Sequence, residues 1–266
     1  MRTITLRTLL FGSLLTMLTI PSAMTGSEIK VLCTHAFHTA ITQVGPEFEK
    51  QTGNKLTITY GTTGDLVKRL TGGETADLVI ATAPAVQNMV KSGKVVEGSN
   101  RSIAATGIGI AVRVGAPKPD ISTVEALRNS LLAAKSIAYS DPADGAASGI
   151  HFAKVLQRLG IADQVKSKST LIGGGGDVGE FVARGEAEIA VRMTSELLPV
   201  PGITYVGPLP GELQDMIVFA AGICVNGPQQ GAAKSLIDFL LSPGVEPKLK
   251  ATGLEPVSRT VPAVKK

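Results

Sequence analysis

The chain has 266 residues, 44% of them hydrophobic and 18% charged, with 30 glycines, 15 prolines and no tryptophan. That length supports one large domain or two small lobes with real cores, and the composition is too apolar for a disordered chain. Lysine and arginine outnumber aspartate and glutamate 26 to 22, and taking off a leader that carries Arg2, Arg7 and no acid leaves 24 against 22, or +2. So weak a balance excludes nucleic acid as a partner and a polybasic membrane-binding surface.

Arg2 and Arg7 flank a short basic region, and Leu9 to Ile20 is an apolar run followed by Pro21, Ser22 and Ala23. This is the order of a secretory signal peptide, read here over residues 1–26 with cleavage after Ala23 or after Gly26. The run is too short to span a bilayer. The remainder is expected to be exported, soluble and periplasmic. Cys33 and Cys224 are the only cysteines. Export permits a disulfide between them; two buried free thiols in strand-like segments are the alternative. Two cysteines and three histidines make no zinc spacing, so neither a metal nor a cofactor is expected.

In chain order, Ile29 to Leu32 reads as a strand and His38 to Thr52 as a helix ended by Gly53. Leu56 to Tyr60 alternates as a strand, and Thr62 or Thr63 can cap a helix through Leu70. Asp77 to Ala81 is a strand and Ala83 to Ser92 a helix. Ile108 to Val114 is a long strand. Ser122 is expected to cap a helix over Thr123 to Lys135, with Glu125 completing a capping box. Ile137 to Tyr139 is a strand, and Ser148 opens a helix to Gly160. There follow a helix at Val178 to Arg184, strands at Ile189 to Met193, Thr204 to Val206 and Met216 to Val225, and a helix at Gly231 to Leu241. Such alternation predicts an α/β fold of mixed, mostly parallel sheets with helices on both faces. The two longest strands bracket a central block, the pattern of two lobes joined by two crossover strands.

Ligands in such folds bind beyond the carboxyl ends of strands, where helix N-termini point. Three segments there are small, polar or glycine-containing: Thr34 to His38, Gly61 to Gly64, and Ser140 with Gly145 to His151. Their free backbone N–H groups and hydroxyls suit an anion, although each one alone also reads as an ordinary N-cap. The Gly173–Gly176 run is followed by Asp177 and by no Gly-Lys-Ser/Thr, which excludes a nucleotide loop. His35, His38 and His151 all fall near strand ends and are candidate acid–base groups. No Gly-x-Ser-x-Gly elbow supplies a nucleophile. Arg192 is a charge within an apolar strand. It needs a partner, for which Glu186, Glu188 and Glu196 are candidates, or it holds a ligand carboxylate with its planar fork.

The order of these segments resembles the periplasmic molybdate-binding proteins of ABC importers, a branch with the type II periplasmic binding protein fold. The motifs are Val31-Leu32-Cys33-Thr34-His35-Ala36-Phe37, Tyr60-Gly61-Thr62-Thr63-Gly64-Asp65-Leu66, Gly73-Glu74-Thr75-Ala76-Asp77-Leu78-Val79, Ser140-Asp141-Pro142 with Gly149, and Gly185-Glu186-Ala187-Glu188-Ile189. The resemblance implies lobe I over 27–108 and 216–266 and lobe II over 109–215. It also implies a monomer that binds a small anion and an inner-membrane ABC permease that receives it. Where the family binds oxyanion through two serines and a tyrosine, this chain has Ala36, Thr63 and Met193; the family's amide-donating positions correspond to Ala147 and Val178. With Thr34, Thr62, Ser148 and Arg192 these make the expected pocket. Loss of two of three hydroxyls beside an added arginine suits an organic carboxylate better than molybdate. Ser195-Glu196-Leu197-Leu198-Pro199-Val200-Pro201-Gly202 and Gly115-Ala116-Pro117-Lys118-Pro119-Asp120-Ile121-Ser122 resemble the aconitate isomerases, an enzymatic set of the same family. That resemblance implies a proton shift on a tricarboxylate, with one of the three histidines as base and Arg192 as clamp.

Overall fold

The computed structural model describes residues 26–173 and 176–257. The segment expected to be a signal peptide, 1–26, lies outside the described residues apart from Gly26, as do two glycines of the Gly173–Gly176 run. Among the described residues, eleven strands form two sheets. The first contains β1 (Glu28–Thr34), β2 (Lys55–Gly61), β3 (Leu78–Thr82) and β4 (Arg101–Thr106). The second contains β5 (Ile108–Arg113), β6 (Ile137–Ser140), β7 (Ser169–Ile172), β8 (Ile189–Met193) and β9 (Ile203–Pro208). The chain then returns to the first sheet as β10 (Ile217–Ile223) and β11 (Glu255–Pro256). The strand orders are β11-β4-β10-β3-β1-β2 and β7-β6-β8-β5-β9.

Each sheet is parallel on one side, where β1 pairs β2 and β3, and where β6 pairs β7 and β8. Each turns antiparallel where a strand enters directly from the other sheet: β10 lies against β3 and β4, and β5 against β8 and β9. Only Gly107 separates β4 from β5, so the first crossing is a single residue. The central strands β3 and β8 are nearly continuous apolar runs because helices cover both faces. Leu78–Ala81 of β3 and Ile189–Met193 of β8 are buried throughout.

The helix His38–Thr52 ends at Gly53, whose φ of 75° is the left-handed cap position that favours glycine. One cap differs from expectation. Thr123, not Ser122, caps the helix Val124–Ala133, its Oγ1 accepting from the Ala126 amide at 3.0 Å. Ser122 is held by Asp120 instead, donating to its Oδ1 at 2.7 Å. The helix Ala147–Arg158 likewise starts one residue earlier than read, with Ala146 as a cap that contributes no side-chain bond. The thiols of Cys33 and Cys224 are free and buried, the second of the two alternatives. Burial pushes both upward, Cys224 to about 12, which leaves them protonated and inert near neutrality.

Candidate functional site

A cavity of about 30 Å³ opens where the carboxyl ends of β1, β2, β6 and β8 converge from the two sheets. From the first sheet come Thr34 and His35 at the end of β1, Gly61 at the end of β2, and Thr62 and Thr63 beyond it. From the second come Ser140, Asp144, Ala146, Ala147, Ser148, Ile172, Gly176, Arg192, Met193 and Glu196.

Two helices therefore begin at the cavity. Thr62 caps the nine-residue helix Thr63–Thr71 in a reciprocal box: its Oγ1 accepts from the Asp65 amide, and the Asp65 carboxylate accepts from the Thr62 amide. The twelve-residue helix Ala147–Arg158 opens on the opposite wall. Their unpaired first-turn N–H groups and aligned peptide dipoles favour an anion between them. The Thr62 hydroxyl also donates across the cleft to the Asp144 carbonyl at 2.6 Å, tying the walls together. Beneath, the Ser148 hydroxyl lies 3.4 Å from that of Ser140, both buried.

Arg192 projects from β8 with its side chain 7% exposed, paired through Nη2 with Glu196 Oε1 at 2.8 Å, itself 10% exposed. Its Nη1 donates to the Gly176 carbonyl at 3.1 Å and stands 3.6 Å from Asp177 Oδ1. Of the three acids open from sequence, Glu196, one helical turn on, is the partner. The Nε of Arg192 and the hydroxyl of Ser195 are buried without a hydrogen-bond partner among the described residues.

His35 stands at the rim, its ring stacked at 6.2 Å on Tyr60. Burial holds its imidazole below the ordinary range; Glu196 pulls upward, Arg192 and His38 push down, and Asp65 pulls upward. The ring is therefore neutral at pH 7. His38 lies outside this cavity, 4.7 Å from the Tyr60 ring, and lines a second, outer cavity of about 360 Å³. His35, Arg192 and Glu196 face both spaces.

The structure thus brings together Thr34, His35, Thr62, Thr63, Ala147, Ser148, Arg192 and Met193, all expected from sequence. Four expected residues are elsewhere, His38 in the outer cavity and three others. His151 is turned to the far side of its helix, where Nε2 meets the Leu213 carbonyl at 2.8 Å; it does not line the cleft. Ala36 and Val178 are packed into the core and do not line it either. Ser140, Asp144 and Glu196 are lining residues that the expected pocket omitted. Ser140, as the last residue of β6, and Glu196, four residues beyond Arg192, carried readable signals. Among the described residues, no cluster of three His, Cys, Asp or Glu could hold a metal ion.

Two lobes of this topology closing on an anion at paired helix N-termini define a solute-binding architecture. Residues 29–255 match the model of the bacterial extracellular solute-binding protein family, and the chain belongs to that family. Over 259 residues it is 35% identical to an aconitate isomerase from Pseudomonas sp., covering 95% of this chain and 97% of that one. Over 236 residues it is 27% identical to a molybdate-binding protein of Azotobacter vinelandii, covering 87% and 91%. The solved structure of the periplasmic molybdate-binding protein from Azotobacter vinelandii superposes with a TM-score of 0.74 at 19% identity, over 86% of this chain and all of that one. The placement is the periplasmic or extracellular one of the family, whose members serve ABC transporters and take up small anions.

Proposed function

We propose that the anion is an unsaturated tricarboxylate of the aconitate class and that the protein shifts a proton along it. The observation that carries this reading is an imidazole, His35, lining the same cavity as a buried guanidinium, Arg192, with burial holding the imidazole below its ordinary range. Holding an inorganic oxyanion needs no acid–base group; moving a proton beside a carboxylate needs one, together with a cation for the developing charge. The relative at 35% identity, an aconitate isomerase, supports the same reading.

In the proposed step, His35 takes a proton from the methylene that lies between a carboxylate and the double bond. The electron pair delocalises over three carbons and the attached carboxylates, where Arg192 and the two helix N-termini stabilise it. The imidazolium returns the proton to the far carbon, so the double bond moves by one position and no atom is gained or lost. The lobes, 27–108 with 216–266 and 109–215, must part to admit such an acid, because about 30 Å³ is far below the space of a typical organic ligand site. The protein acts as a monomer in this reading.

The test is proton NMR on the mature protein with trans-aconitate in deuterium oxide. Appearance of the cis isomer is expected, with deuterium at the shifted carbon to the extent that the imidazolium exchanges with solvent before it returns the proton, and His35→Ala should abolish conversion while still binding. The family's transport role supports a second reading, delivery of the bound acid to an ABC permease. Binding of both aconitates by the parent protein with no conversion of either would leave that reading and sink the enzymatic one.

A further inference from the structure

Arg192 is neutralised yet incompletely satisfied. Glu196 gives it one carboxylate oxygen and Gly176 one carbonyl, and Asp177 Oδ1 stands 3.6 Å from Nη1, while Nε has no partner among the described residues. Glu196 sits on the four-residue helix Thr194–Leu197, whose Ser195 hydroxyl is also buried and unpartnered. Both members of the pair form part of the wall between the inner cavity and the outer one. A ligand carboxylate that reaches Arg192 therefore finds the protein's own carboxylate already there.

We propose that Glu196 is a resident substitute for a ligand carboxylate, and that binding proceeds by exchange. One carboxylate of the ligand seats at the helix N-termini; a second takes the Nε and Nη2 edge of Arg192, where two parallel hydrogen bonds are available. Glu196 swings into the outer cavity of about 360 Å³. His35 and His38 face it there as hydrogen-bonding imidazoles, whereas Asp177 and Glu180 oppose it as like charges. The exchange makes Glu196 a specificity-determining residue. A compact oxyanion that fills only the helix N-termini gains nothing from Arg192, while a polycarboxylate carries the second group needed to displace Glu196. This inference rests on the tricarboxylate reading above and extends it to how the ligand is selected.

Calorimetric titration of the mature protein with tricarballylate, a saturated tricarboxylate with no double bond to move, separates binding from turnover. Glu196→Gln removes the competing charge, so it should bind tricarballylate roughly tenfold tighter at pH 7, a change of about 1.4 kcal/mol. Molybdate, which has no second carboxylate to take the Nε and Nη2 edge of Arg192, should gain severalfold less from the same loss of charge. If the glutamine variant does not fold, Glu196→Asp, which draws the carboxylate back from Arg192, should tighten binding in the same direction. Tricarballylate bound by the parent but equally or more weakly by the variant overturns the exchange and leaves the tricarboxylate reading standing. Molybdate bound by the parent, with no tricarboxylate bound by either protein, overturns both. Tricarballylate bound by the variant alone supports the exchange and shows the resident carboxylate winning in the parent.

Discussion

His35 couples the cleft to pH. Burial holds its imidazole below the ordinary range, opposed by Glu196 and Asp65 and reinforced by Arg192 and His38. An unfolded histidine titrates near ~6.5. As pH falls through that value the unfolded chain takes up a proton that the folded one refuses, so stability declines until the lower folded value is passed. His35→Gln should flatten the dependence of the urea midpoint on pH between about 7 and 5. An equally steep dependence in the variant would place the proton uptake elsewhere. Binding runs the other way. An anion beside His35 favours the imidazolium, so the parent should bind a carboxylate more tightly as pH falls through the same window, with proton uptake measurable by calorimetry in two buffers.

At the scale of elements, the cavity depends on how tightly the helix Ala147–Arg158 approaches the end of β6. A Cβ on Gly149 would lie 2.0 Å from the Ser140 carbonyl oxygen, a backbone atom that cannot rotate aside. Gly149→Ala should therefore push helix and strand apart, at a cost of about 1–3 kcal/mol in denaturant unfolding. It should also weaken anion binding, because Ser140 and Ser148 part with them. Unchanged stability would show that this contact yields easily. The same element shows what the sequence makes legible. The helix was readable from its apolar spacing, and β6, β8 and the helix His38–Thr52 from dense apolar runs and glycine stops. In contrast, β4 begins with exposed Arg101 and Ser102 and has only Ile103 before two alanines, and β7 is a short, half-exposed strand. Neither has the periodicity that marks a strand. Arg192 stood out as a charge in an apolar strand, but its choice of Glu196 over two other acids depended on the turn after β8. His151 was misplaced because its partner, Leu213, lies in a short turn more than sixty residues away, between the strands expected at Thr204 to Val206 and Met216 to Val225. Local pattern located the strand ends; which face of a helix met the cleft was a tertiary matter.

For the whole molecule, closure is a backbone contact between lobes. A Cβ on Gly64, in the first turn of the helix Thr63–Thr71, would lie 2.5 Å from the Asp144 carbonyl oxygen and 2.8 Å from Gly145 Cα. Beside it the Thr62 hydroxyl donates to the same carbonyl. The walls of the site thus meet at a point where neither can carry a side chain, and Gly145, at φ 70°, turns the chain there. Gly64 has no positive φ, so alanine suits its local helix and is favoured there by about 0.8–1 kcal/mol. Gly64→Ala consequently separates folding from closure. The variant should unfold at or above the parent midpoint, yet bind its carboxylate at least about tenfold more weakly, because the closed state is penalised and the open one is not. Small-angle scattering should show a radius of gyration that contracts with ligand in the parent and does not in the variant. A variant that contracts and binds like the parent would mean that the lobes close by another path, and that the contact between Gly64 and Gly145 follows closure without limiting it.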